Sequence, residues 1–376
     1  PKSFTFTGSG YGHGVGLSQY GAKGQALEGK SAIEIVKYYF PQTEVTPVVD
    51  TATISVNIAH KVTALSIVVP PTDSATVAIG NAVATSLPQN SPLNFAVSDR
   101  SIIGPGGIGQ TWTIRWNNPQ SVVSVNYGKT KFQVSHGYLR LKAVNAPGIG
   151  FRIEATNLLR LRDQYLYGIA EVPSSWPAAA LEAQAIASRT YALNKAGIYR
   201  AACDCDLYGE ISDQKFLGYA KEIEKGWGKF WKAAVTNTAG LTLTQNNLPI
   251  AAYFGSSTGG LTETALNAWG SERTYTQIIP DPGSLDPKLN PRFFTWKRSV
   301  TQASVALAFA LPDVATLEIV SKNASGTVGL IRATSTTGVQ KTLRGETFRS
   351  RTKIPSAYFD LVGVQNAVEP TPSPSP

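Results

Sequence analysis

The chain has 376 residues, 42% of them apolar, and carries 34 Lys plus Arg against 25 Asp plus Glu, a net charge of +9. That length accommodates roughly two or three domains with sizeable cores, and no apolar run approaches the ~20 residues that a bilayer span requires, so no membrane span is expected. A basic balance favours polyanionic partners, but the charges are scattered and form no Lys/Arg block, so nucleic acid is not an expected partner.

There is no initiating methionine and no Met anywhere, which reads as a processed or truncated product. Only two cysteines are present, Cys203 and Cys205. Separated by one residue, they cannot staple distant segments. A local disulfide, a free thiol pair and two metal thiolates all remain open, and a zinc site would need two further ligands that the nearby sequence does not supply.

In chain order, Gly8-Ser-Gly-Tyr-Gly-His-Gly-Val-Gly16 places glycine at every second position. If this segment is extended, the glycines share one face, and Tyr11, His13 and Val15 share the other. A glycine face admits a close neighbour. A helical pattern runs from about Ser18 to Leu27. A second helix starts at Ser31, with Glu34 completing a capping box, and ends near Pro41. Alternating runs such as Thr51–Ile58, Val122–Tyr127 and Tyr138–Val144 read as strands punctuated by Pro and Gly. The stretch 49–130 reads as a small β-rich module.

The period changes at Ser174-Ser-Trp-Pro177, where a helix opens and Pro177 suits the first helical position. Ala178 to Asn194 consists largely of helix formers, with a small-residue face through Leu181, Ala185, Ser188 and Ala192. A further helix is expected from Trp227 to Asn237, and strands at Leu241–Thr244 and Ile250–Phe254. The segment 290–362 reads as mixed α and β, and the Pro/Ser-rich 365–376 as a linker. The fold class expected is α+β.

Glu171 follows an apolar stretch and precedes Val172-Pro173. A carboxyl among apolar side chains loses solvation and keeps its proton nearer neutral pH, as a general acid for glycosidic cleavage must. The plainer alternative is a surface carboxylate beside a helix N-terminus. His13 is either a structural hydrogen-bond partner or a substrate contact. The glycine run lacks G-x-G-x-x-G spacing and no phosphate-binding G-x-x-x-x-G-K-[ST] occurs, which argues against a nucleotide role. The loop Gly255–Glu263 offers hydroxyls and exposed backbone suited to a sugar but is not G-x-S-x-G, so a serine nucleophile is not supported.

Taken jointly, three blocks resemble the SpoIID/LytB family. They are Gly10–Ala22 with Ile35–Pro41, Tyr165–Ala192, and Asp213–Gly240 with Ala252–Glu263. Gly345–Arg349 adds to them. The resemblance implies a secreted, wall-associated lytic transglycosylase acting on peptidoglycan glycan, with Glu171 as its catalytic carboxyl and no cofactor. It implies substrate contacts by His13, Gln19, Tyr20, Gln184, Arg189, Tyr191, Gln214, Ser256, Ser257, Gly260 and Thr262. Through the LytB branch it also implies a rival role, a glycan-binding enhancer whose partner is a cell-wall amidase. No metal is carried over to Cys203 and Cys205. The glycine block opens this chain where the family usually carries it near the C-terminal end, so the motif order reads as permuted. The implied division is a SpoIID-like core of 1–48 and 131–364, with the β-rich module 49–130 inserted.

Overall fold

A computed structural model describes residues 2–87 and 92–363; the 365–376 linker lies outside them. Helices and many strands in several sheets make the chain α+β, as expected. It divides into two compact units. One comprises residues 46–251, and the other joins 1–45 to the segment from 252 onward.

The 46–251 unit is built on two sheets. Seven strands run in the order Leu207–Tyr208, Thr53–Val62, Gly150–Arg160, Tyr138–Ala146, Thr111–Trp116, Ala75–Ile79 and Thr85–Leu87. Six run in the order Gly107–Gly109, Ser101–Gly104, Leu93–Ser98, Ala64–Val68, Val123–Tyr127 and Thr130–Val134. Alternation along these strands sends Ile54, Val56, Ile67, Phe95, Ile114, Leu139, Leu141 and Ile153 into one core. Trp112 of the first sheet is fully buried there and donates its indole N–H to the Ile102 carbonyl of the second at 3.1 Å.

This pairing relocates the expected boundaries. Thr53–Val62 pairs with Gly150–Arg160, and Thr111–Trp116 pairs with Tyr138–Ala146. A cut at 130/131 would sever both ladders, so 49–130 is not a separate module. The divisions fall instead at 45/46 and 251/252. The helix Ala178–Lys195 begins one residue later than expected, with Pro177 as its cap. Its small-residue face is buried, with Leu181 and Ala185 in the core beside Trp231 of the helix Gly228–Asn237. Strand Leu241–Gln245 forms as expected, but 250–253 carries no regular strand, and only Phe254–Gly255 does. Cys203 and Cys205 are joined in a disulfide, which closes a tight turn with Asp204 at φ 51°.

In the other unit, Ser3–Gly8 is the central strand between Trp296–Thr301 and Phe359–Leu361. A second sheet comprises Thr316–Lys322, Val328–Thr334 and Gln340–Arg344. Phe6, Phe309, Phe348 and Phe359 fill the core, with Phe6 edge-on to Phe359 at 5.4 Å between ring centres. The helix Gln19–Leu27 is capped by Ser18, whose hydroxyl accepts from Gly21 N–H. Ala32–Tyr39 carries the predicted capping box, Ser31 and Glu34 each bonding the other's backbone. The second helix follows the capping box that announced it.

The glycine run is not extended, so the condition for a common glycine face is not met. Gly10, Gly12, Gly14 and Gly16 all have positive φ, between 75° and 111°. The backbone therefore turns at each one, and no common glycine face forms. Close approach is nevertheless what the glycines permit. A Cβ on Gly14 would lie 2.4 Å from the Tyr358 hydroxyl oxygen, and one on Gly16 would lie 2.2 Å from the Tyr253 carbonyl oxygen.

Candidate functional site

The twelve residues singled out in the sequence fall into two groups, one in each unit. Glu171, Gln184, Arg189, Tyr191 and Gln214 lie in the 46–251 unit, and His13, Gln19, Tyr20, Ser256, Ser257, Gly260 and Thr262 in the other.

Glu171 lies on the irregular segment between Tyr165 and the helix Ala178–Lys195. This segment is held by the chain at 215–216. Ile169 bridges Phe216, the Ala170 N–H donates to the Lys215 carbonyl at 2.7 Å, and the Lys215 N–H donates to Glu171 Oε1 at 2.5 Å. The carboxyl is thus half-buried with a fixed orientation, flanked by buried Ile169 and Val172. A carboxylate without such a partner would be free to swing; the Lys215 N–H removes that freedom here. Tyr165 is fully buried beside it. Burial, together with Asp213, Tyr191 and Glu171, raises its phenol well above the usual range.

Gln214 is buried. Its amide nitrogen donates to the Tyr165 hydroxyl at 3.3 Å and the Ser188 carbonyl at 3.2 Å, and its buried oxygen has no partner among the described residues. Gln184 is also buried and donates to Ser188 Oγ at 3.0 Å. The Tyr191 hydroxyl donates to Asp213 at 2.8 Å, and Arg200 clamps the same carboxylate with two N–H groups.

Arg189 departs from its expected role. It is completely buried, and its guanidinium is used up internally. It donates to Asp50 at 2.9 Å, to the Val235 carbonyl at 3.0 Å, and to Thr238 and the Leu241 carbonyl at 3.3 Å. No sugar can reach it; it ties the helix Ala178–Lys195 to the chain around 235–241. Burial lowers its basicity to about 10, against the opposing pull of Asp50.

In the other unit, the loop from Gly10 to Val15 is stitched to 257–263 by bridges between Tyr11 and Ser257 and between Val15 and Glu263. His13 Nδ1 accepts from the Val15 N–H at 3.0 Å, and the ring is edge-on to Trp269 at 5.1 Å and to Tyr253 at 6.4 Å. Burial, aided by the positive charge of Arg349, lowers its pKa to about 4 despite a hydrogen bond with the Phe254 backbone. His13 is therefore a neutral imidazole at pH 7, without the charge to pair with a carboxylate.

Ser256 accepts from the Tyr20 N–H at 3.0 Å through its carbonyl, and its side chain is half-buried. Ser257 is buried, with no partner for its hydroxyl among the described residues. Gln19 is buried at the helix start, and Lys23 sits over the half-buried Tyr20 ring. Thr262 is buried, and its hydroxyl donates to the Gln277 carbonyl and accepts from the Ile279 N–H. Gly260, at φ 107°, packs against Leu285. Thr262 and Gly260 thus shape the loop.

Three groups went unread in the sequence. Glu263 is buried and accepts from Ser325, Thr327, Asn267 and Asn323. Asp281, also buried, accepts from Tyr39, Thr258 and Ser284. These carboxylates carry enough donors to be structural ties. The third is Lys221 with Glu224, whose i,i+3 spacing was visible in the sequence but not its target. Among the described residues no group of three or more His, Cys, Asp or Glu is placed to hold a metal.

Comparison with known proteins supplies the remaining context. Residues 152–245 match the SpoIID family model, described as stage II sporulation protein. The stage II sporulation protein D of Bacillus subtilis (strain 168) is 28% identical over 218 residues, 53% of this chain and 59% of its own length. The protein of that name from Bacillus amyloliquefaciens is 28% identical over 219 residues, with the same shares. An amidase enhancer of B. subtilis is 32% identical over 119 residues, 32% of this chain but 15% of the relative. The chain thus spans little more than half the length of the sporulation proteins it matches. The segment that holds Glu171, Gln184, Arg189, Tyr191 and Gln214 is the one that matches the SpoIID family model, and it is there that this chain is similar to the stage II sporulation proteins.

Proposed function

We propose that this protein works on the bacterial cell wall and cleaves peptidoglycan glycan strands as a lytic transglycosylase, from an extracellular, wall-associated position. The observation that carries the reading is Glu171, a half-buried carboxyl fixed by the Lys215 N–H within the family-matched segment. Protonated Glu171 donates to the glycosidic oxygen between MurNAc and GlcNAc, and the C1–O bond breaks. The carboxylate then takes the proton from the MurNAc C6 hydroxyl, whose oxygen bonds to C1. The product is a 1,6-anhydro end, no water is consumed, and the carboxyl regains its proton. Hydrolases with two carboxylates instead use the second as nucleophile or water activator. Neutral His13 and the hydroxyls of the 255–263 loop suit hydrogen bonding to sugar hydroxyls without adding charge.

The name of one relative, amidase enhancer, favours a second reading, in which the chain binds glycan and stimulates a cell-wall amidase without cleaving. Clearing of purified-wall suspensions separates the two. The transglycosylase reading expects the wild type alone to clear them and Glu171→Gln to fail. Clearing that needs an added amidase, and is equally strong with Glu171→Gln, favours the enhancer.

A further inference from the structure

Lys221 is a lysine with only 2% of its side chain exposed. It lies on the short helical turn Tyr219–Glu222. Burial lowers its pKa below the ordinary lysine value, opposed by Glu224 and by the charge of Glu171. Its ammonium donates to the Val172 carbonyl at 2.6 Å and to Glu224 Oε2 at 2.7 Å, and stands 5.5 Å from the centre of the fully buried Trp231 ring. The same Glu224 oxygen accepts from the Ser174 hydroxyl at 2.6 Å and the Ser174 N–H at 3.2 Å. Glu171 is thus gripped from two sides: Lys215 holds its carboxyl, and the Lys221–Glu224 pair holds the Val172–Ser174 turn that follows it.

A buried lysine is costly, and packing alone would be served by an apolar side chain. What an ammonium adds is a fixed positive charge close enough to interact with Glu171 and a donor for the carbonyl one residue beyond it. We propose that Lys221 is the positioning residue for Glu171, aiming its carboxyl through the Val172 carbonyl and setting the pH at which it holds its proton. The inference rests on the glycan-cleavage reading for its consequence but not for its coupling. Titratable groups near Glu171 include Tyr165 and Lys215, whose N–H holds the carboxyl and whose ammonium is paired to Glu210, while Glu224 faces Lys221. Asp213, beyond Tyr165, is clamped by Arg200.

The test is the titration of the Glu171 carboxyl, followed by carbon-detected NMR in the full chain, for wild type, Lys221→Met, Lys221→Arg and Glu224→Gln. A positive neighbour favours the carboxylate. Its loss in Lys221→Met should therefore raise the midpoint by about one pH unit. Lys221→Arg should restore it, and Glu224→Gln, which leaves the ammonium uncompensated, should lower it. In a glycan-cleaving wild type, the high-pH limb of the rate profile should move up in step in Lys221→Met. An unmoved midpoint in folded Lys221→Met overturns the proposal; if that variant does not fold, an unmoved midpoint in Glu224→Gln does so. A wild type that leaves glycan intact while these midpoints shift as stated would sink the cleavage reading and leave the Lys221–Glu171 coupling standing.

Discussion

At Glu171 the Lys215 N–H holds the carboxyl, and that predicts how a substitution there behaves. Glutamine keeps an oxygen that can accept from the Lys215 N–H, so Glu171→Gln should fold with a melting temperature within a few degrees of wild type while losing glycan cleavage entirely. His13 makes a second prediction at this scale. Its folded pKa of about 4 lies below the ordinary value of 6.5, so the unfolded chain binds the proton more readily. Its contribution to stability is full above pH 6.5 and is lost as pH falls towards 4, on the order of 2–3 kcal/mol. In His13→Asn the amide oxygen can replace Nδ1 as acceptor for the Val15 N–H. Urea unfolding should show that variant losing less stability than wild type between pH 6.5 and 4; parallel losses would contradict the assignment. The segment around Glu171 was legible as family-like because its neighbours carry the motif that the family model matches. The role of Arg189 was not, because its partner Asp50 lies 139 positions away and only folding brings the two together.

Among the elements, helix starts were the most readable, since capping chemistry is local. Ser31 caps where the sequence said it would, and the helix expected from about Ser18 starts at Gln19 with Ser18 as its cap. The glycine run was ambiguous in the sequence, because alternation fits both an extended strand and a chain that turns left-handed at every second residue. The distinction can be measured. Gly14→Ala puts a methyl into Tyr358 at φ 75° and should cost more than about 2 kcal/mol, whereas Gly29→Ala, at φ 87° with nothing within 4 Å, should cost about 1 kcal/mol. Equal costs would mean that the loop does not press on Tyr358. The buried Arg189–Asp50 pair belongs here as well, since it ties a helix to the segment after another. Arg189→Met leaves Asp50 with Arg162 but strips its buried partner, and should destabilise by about 3–5 kcal/mol. If Arg189 bound glycan instead, the variant would keep its unfolding midpoint and lose affinity.

Over the whole molecule, fold class was legible from alternating and helical periods, but domain division was not. The pairing of 53–62 with 150–160 and of 111–116 with 138–146 is long-range and leaves no trace in composition. The 46–251 unit is one continuous stretch with its own core; as a fragment it should unfold cooperatively in urea. A fragment starting at 252 should not, because Ser3–Gly8 supplies the central strand of its three-stranded sheet. Glycan cleavage through Glu171 is tested most directly by mass spectrometry of purified, peptide-stripped glycan after incubation with the protein. Wild type should yield fragments ending in 1,6-anhydro-MurNAc, and Glu171→Gln none. Intact glycan with both proteins, or fragments with ordinary reducing ends, would contradict that expectation.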